Sequence, residues 1–81
     1  MRYLPIVIGK LLSLIPEYAL ERYGDLVSAL NDVRKQLAYR APETIGPHEW
    51  TVVAELLTIN LGEPDCDWKR KIADLFADKI Q

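Results

Sequence analysis

The chain has few of the residues that catalysis and metal binding use. Its 81 residues include one cysteine, Cys66, and one histidine, His48. Nucleophilic catalysis needs a nucleophile, a base and a group that orients the base, and a zinc site needs more His or Cys ligands than these two. The sequence also has no Gly-rich phosphate loop and no nucleophile elbow. We therefore expect a non-enzymatic protein that uses no metal, cofactor or small-molecule substrate.

Cys66 and His48 are the one pair that can supply a thiol nucleophile and a base. Both are expected near helix starts, where the positive end of the helix lowers a thiol pKa. Asp65 and Asp67 flank Cys66, however, and their negative charge opposes the thiolate. We interpret Cys66 as incidental and His48 as an exposed residue of a first helical turn. A single cysteine also excludes an internal disulfide, which suits a reducing compartment.

The chain likewise lacks an excess of one charge and a long apolar run. Ten basic and twelve acidic residues give a net charge of -2 and a pI near 5.3, so the chain as a whole does not attract phosphate backbones. The apolar stretch from Leu4 to Ile15 contains Lys10 and is shorter than the ~20 residues that a bilayer span takes. It also has no convincing signal-peptide cleavage site. We expect a small acidic protein of the cytoplasm with no membrane association.

Helical periodicity is what the chain has instead. Pro5 suits the first turn of a helix that runs to about Ile15 and is apolar nearly all round. Such a helix should be surrounded by other elements. The β-branched residues of this stretch leave a strand as the alternative for its first few positions.

A heptad-like stripe follows, between Glu17 and about Tyr39. Six apolar residues recur there at spacings of four and three, which places them on one helix face: Ala19, Tyr23, Leu26, Leu30, Val33 and Leu37. Because the stripe keeps its phase across Gly24, we predict one long helix, with a kink at Gly24 compatible with the pattern. Two shorter helices, with Gly24 ending the first and Asp25 capping the second, are the alternative. The stripe itself is best explained as part of an intramolecular core.

The third helix has the clearest start signal in the sequence. Gly46 is the expected N-cap, and Glu49 can reach back to its N–H as in half of a capping box. Ile45 and Trp50 occupy the two positions of a hydrophobic staple, which makes Trp50 a core anchor. Gly62 is the expected end of this helix.

The last helix starts near Asp65 or Asp67. Its apolar side consists of Trp68, Ile72, Leu75, Phe76 and Ile80. Four helical segments, short connections and 49% apolar residues together predict an all-α fold, a compact bundle of about four helices. At this length, residues 1–81 form a single domain.

Protein association is the leading functional hypothesis. The apolar content exceeds what one small core hides easily, and tyrosine rings are enriched at interfaces. The candidate interaction surface lies mainly on the first two helices and consists of Tyr3, Leu12, Tyr18, Val27 and Tyr39. We expect a protein–protein interaction module, acting as an adaptor, regulator or inhibitor, whose partner is another protein or a second copy of itself.

A helix-turn-helix nucleic-acid-binding protein is the alternative. The stretch 62–65 has the length of the turn, and Lys69, Arg70 and Lys71 lie near the start of the last helix, where a recognition helix contacts DNA. Three acidic residues between positions 63 and 67 repel phosphates, and they lack the spacing of a calcium-binding loop. We therefore disfavour nucleic acid as a partner and expect no duplex binding at physiological salt.

Overall fold

Helices account for most of the described residues. The computed structural model describes the backbone of residues 3–80 and the side chains of residues 3–77. Over residues 3–80 the chain has no strand and contains the helices α1 (Leu4–Leu14), α2 (Glu17–Leu20), α3 (Gly24–Ala38), α4 (Pro47–Leu61) and α5 (Asp67–Ile80), with a short 3-10 helix (Pro42–Thr44) before α4. The predicted all-α bundle is confirmed, and α1 is helical from its first turn. The side chain of Ile80, predicted on the apolar side of α5, lies outside the described side chains.

The helix is interrupted between α2 and α3, so the prediction of a single long helix across Gly24 is wrong. Residues 21–23 form a turn. Tyr23 has φ -106° and ψ 28°, outside the α-helical region, and the Gly24 N–H donates to the carbonyl of Glu21, three residues back, at 3.3 Å. The turn places the Tyr23 ring against Trp68 of α5, with ring centroids 5.3 Å apart. Tertiary packing of this kind overrides a periodic pattern.

The core lies where the apolar stripes of the helices meet. Within residues 3–77, fifteen hydrophobic residues are buried, and the largest fully buried side chains are Leu4, Ile8, Leu11, Leu26, Leu30, Val53 and Ile72. Four of the six stripe residues are buried, while Tyr23 and Val33 are half-buried against the others. Among the residues that the structure describes, no polar or charged side chain is buried. Apolar packing therefore holds the bundle together.

The packing of the helices determines which surfaces stay open. α1 packs against α3 and α5, whereas α4 packs against α3 and less extensively against α5. The Tyr3 hydroxyl donates to the Leu37 carbonyl at 3.4 Å, so the start of α1 meets the end of α3 and the two helices are antiparallel. Ile6 is 59% exposed, which shows that α1 is less enclosed than its sequence predicts.

The start of α4 has the predicted cap. The Gly46 N–H donates to Oε1 of Glu49 at 3.3 Å, and both Ile45 and Trp50 are buried as a staple requires. Arg40 pairs with the same Glu49 oxygen at 3.1 Å. The Gly46 N–H, together with the Arg40 guanidinium, holds the pKa of Glu49 below its ordinary value.

Candidate interaction surface

The five predicted interaction residues do not form one surface. Tyr3, Leu12 and Val27 are half-buried and pack against the core. Tyr18 and Tyr39 are exposed, at 80% and 93%, but they lie beyond opposite ends of α3. That helix has 15 residues and is therefore about 22 Å long. The two exposed rings cannot contact the same small patch.

An apolar groove runs instead between α4 and α5, and we refer to it as the α4–α5 groove. Its volume is about 260 Å³, and it is lined by Ala54, Leu57, Thr58, Leu61, Gly62, Pro64, Lys69, Ile72, Ala73, Phe76 and Ala77. Leu57, Ile72 and Phe76 are buried and form its floor. Ala73 and Ala77 are exposed and lie four residues apart on one face of α5. Because these side chains are so small, α5 leaves open the space that larger residues would fill.

The chemistry of the α4–α5 groove favours apolar ligands. Among the side chains that the structure describes, Lys69 is the one charged residue in its lining, and Thr58 adds a single hydroxyl. Such a lining offers van der Waals contact and apolar burial. It does not bring together the acids, bases or ligand atoms that proton transfer or metal binding requires.

A second feature adjoins this groove at the start of α5. We call it the Lys69 cluster, and it consists of Tyr23, Asp65, Trp68 and Lys69. The Lys69 ammonium lies 5.4 Å from the ring centroid of Tyr23 and 5.8 Å from that of Trp68, and 3.3 Å from the Asp65 carboxylate. The neighbouring Tyr23 hydroxyl, followed by Asp65, raises the pKa of Lys69. The Lys69 side chain is only 12% exposed, although Asp67 and Arg70 in the same helical turn are exposed.

The predicted nucleic-acid contacts are therefore spread over different surroundings. Lys69 is held in its cluster, and Arg70 pairs with Asp67 at 2.9 Å. Lys71 is exposed and lines a crevice toward Lys10 of α1. The three side chains do not converge on one face of α5.

His48 and Cys66 lie at opposite ends of the α4–α5 pair. Trp50, in the first turn of α4, contacts Phe76 near the end of α5, with ring centroids 5.5 Å apart. Cys66 precedes the first turn of α5, so about ten residues of helix, or roughly 15 Å, separate it from the His48 end. The two residues therefore do not form a nucleophile–base pair. Within residues 3–77, no group of three or more His, Cys, Asp or Glu side chains is arranged to hold a metal ion.

Sequence reasoning missed the α4–α5 groove. Its signal in the sequence is the small-residue pair Ala73 and Ala77, at helical spacing beside the apolar side of α5.

None of the helices in the described part of the chain is long and apolar enough to cross a membrane. In comparisons with known proteins, no protein-family model, no curated protein and no solved structure matches the chain.

Proposed function

We propose that this protein is a small, non-enzymatic interaction module that binds an amphipathic helix of a partner protein in the α4–α5 groove. The observation that carries the proposal is the groove itself, a continuous apolar depression between two helices with a buried apolar floor. Insertion of the apolar face of a helix into such a groove is a recurring mode of peptide recognition. A cytoplasmic location is part of the proposal and agrees with the single, unbridged cysteine.

The dimensions of the groove favour a helical segment over a small molecule. Its α4 side extends from Ala54 to Leu61, eight residues whose Cα atoms span about 10 Å along the helix axis. This length matches two turns of a partner helix, whose apolar anchors recur at positions i, i+4 and i+7. A volume of about 260 Å³ also falls below the ~300 Å³ at which pockets for drug-sized ligands begin. The groove accommodates a few apolar side chains.

The same dimensions favour a transient complex over a stable dimer. A standard protein interface removes about 800 Å² of surface from each partner. The α4–α5 groove provides only the anchoring part of such an area, so additional contacts along its rim determine the rest of the affinity. We therefore propose a partner segment that binds weakly, and we treat a second copy of this chain as the competing occupant.

Site-specific photo-crosslinking tests this proposal. A photo-reactive amino acid replaces Ala73, in the groove, or Ser28, on the exposed outer face of α3. We expect crosslinks from position 73, and not from position 28, to one amphipathic segment of one protein. A synthetic peptide of that segment should then bind the protein directly. A new charge in an apolar site is costly, so Ala73→Glu should weaken this binding at least about tenfold, or ~1.4 kcal/mol.

Ser28→Glu is the matched control, because it adds the same charge to an exposed helical position outside the groove. Peptide binding that Ala73→Glu and Ser28→Glu weaken equally would contradict the proposal. Crosslinks from position 73 to a second copy of the chain would replace the partner helix with a homodimer. Crosslinks to nucleic acid would instead favour the helix-turn-helix alternative.

A further inference from the structure

The segment formed by α2 and the turn after it is weakly anchored, and we call residues 17–23 the strap. α2 has four residues, and Ala19 is the one buried residue in it. Tyr18 and Leu20 are exposed, at 80% and 41%. A single helical turn is not stable alone in water, because helix nucleation costs more free energy than the hydrogen bond of one turn provides. Contacts with other elements must therefore hold the strap in place.

The Lys69 cluster supplies contacts of this kind outside the buried core. Tyr23 belongs to the strap, whereas Trp68 and Lys69 belong to α5. The Tyr23 and Trp68 rings meet edge to face at an interplanar angle of 73°, and the Lys69 ammonium lies within 6 Å of both ring centroids. Cation–π attraction operates at this range and grows when the cation is partly desolvated. Asp65 holds the ammonium from the solvent side, since its own side chain is 71% exposed.

Lys69 also belongs to two surfaces at once. It lines the α4–α5 groove, and it lines a cleft of about 380 Å³ between the strap and the start of α5, together with Tyr18 and Arg22. Long cationic side chains commonly cover apolar surface with their stems while the charged group binds elsewhere. A movement of this one side chain therefore affects both the groove and the strap.

We infer that Lys69 is a latch that fastens the strap to α5, and that removing its ammonium releases the strap while the rest of the bundle stays folded. The latch is a property of the free protein and does not depend on a partner. One consequence does rest on the proposed function: a helix that displaces the Lys69 stem from the groove also loosens the strap and its exposed tyrosine.

Amide hydrogen exchange of the free, full-length protein tests the latch. Lys69→Met keeps an unbranched apolar stem and removes the ammonium. The reporters are the N–H groups of Ala19 and Tyr23, which donate to the carbonyls of Pro16 and Ala19 at 2.9 and 3.0 Å. We expect both to exchange about tenfold faster in Lys69→Met, because local opening of the strap becomes easier. Amides of α1 and of the middle of α3 should keep their parental rates.

Two further variants make the result decisive. Lys71→Met makes the same change at an exposed position of α5 and should leave the strap amides at the parental rate. Asp65→Asn keeps the fold, since its side chain is largely exposed, and should accelerate the same two amides less than Lys69→Met does. Parental exchange in both Lys69→Met and Asp65→Asn would overturn the latch. Equal acceleration in Lys71→Met, or acceleration across the whole bundle in Lys69→Met, would overturn it as well. None of these measurements involves the groove partner, so failure of the proposed function leaves them interpretable.

Discussion

Replacement of Trp50 by alanine is the sharpest test of how this bundle is stabilised. Trp50 lies in the first turn of α4 and is 5% exposed. Its ring packs against Phe76 of α5 at a centroid distance of 5.5 Å and an interplanar angle of 45°, while Ile45 is buried beside the cap as the other half of the staple. The side chain therefore links the start of α4, the preceding loop and the end of α5, so truncation removes contacts to all three.

The expected loss is large compared with the stability of so small a domain. Truncation of a buried aromatic side chain to alanine costs about 3–5 kcal/mol. A chain of 81 residues has a total unfolding free energy of roughly 4–12 kcal/mol at ordinary values per residue. Because 1 kcal/mol shifts the midpoint of a domain this size by about 4–8 °C, Trp50→Ala should lower the melting temperature by at least ~12 °C.

Thermal and urea unfolding, followed by circular dichroism at the helical signal, measure this loss. Trp68 remains in the variant as a fluorescent reporter of the same transition. Tyr39→Ala is the matched control, since that ring is 93% exposed and its removal should change stability by less than about 0.5 kcal/mol. A Trp50→Ala variant that melts within a degree or two of the parent would refute the assignment of Trp50 to the core.

Two further predictions concern the backbone and the pH dependence. Gly62 has φ 65° and ψ -138°, so Gly62→Ala should lower the free energy of unfolding by about 1–3 kcal/mol. Gly24→Ala has open space around the new Cβ and should be neutral or stabilising by up to about 1 kcal/mol. Equal effects of the two substitutions in urea unfolding would contradict this prediction. The Gly46 N–H and Arg40 lower the pKa of Glu49 in the folded state. The charged Glu49 side chain therefore stabilises the fold at pH values above its ordinary pKa of 4.5. This stabilisation disappears as the pH falls through the folded-state pKa. Glu49→Gln should therefore melt below the parent near neutral pH, and the difference in melting temperature should shrink as the pH falls below 4.5; a difference independent of pH would show that the charge is not responsible.

The start of α4 could be predicted from the sequence because its signals are local. A helix cap involves residues within about four positions of each other, and the types of these residues determine whether the capping hydrogen bonds form. Gly46 and Glu49 form their hydrogen bond as predicted, and Gly62 ends the helix with the positive φ that glycine adopts readily. The buried faces of the helices could be predicted for a similar reason, because periodicity alone identifies which side of a helix is apolar.

The sequence left the break before Gly24 open, because Gly24 and Asp25 are local stop and start signals while the periodic stripe favours a continuous helix. The apolar stripe keeps its phase from Ala19 to Leu37, so periodicity is the same for a continuous helix and for a helix with one tight turn. What differs is the packing partner. Tyr23 meets Trp68, 45 positions later in the chain, and no pattern within a single helix reports on such a contact.

The same distinction explains why the predicted interaction surface and the α4–α5 groove involve different helices. Counting apolar residues identifies how many a chain has, but it does not say which of them end up contiguous. Tyr18 and Tyr39 are exposed singly, and single exposed apolar residues are normal on any folded surface. A partner needs contiguous apolar area, and that depends on how far apart two helices lie. The exposed Ala73 and Ala77 of α5 line the α4–α5 groove, together with its buried floor of Leu57, Ile72 and Phe76. If the small residues at positions 73 and 77 keep the groove open, Ala73→Leu should close it. Burial of the added carbon atoms should then stabilise the bundle slightly, by at most about 0.8 kcal/mol for each methylene. A lower melting temperature for Ala73→Leu would mean that α4 and α5 are already closely packed there and that the groove is not an open binding surface.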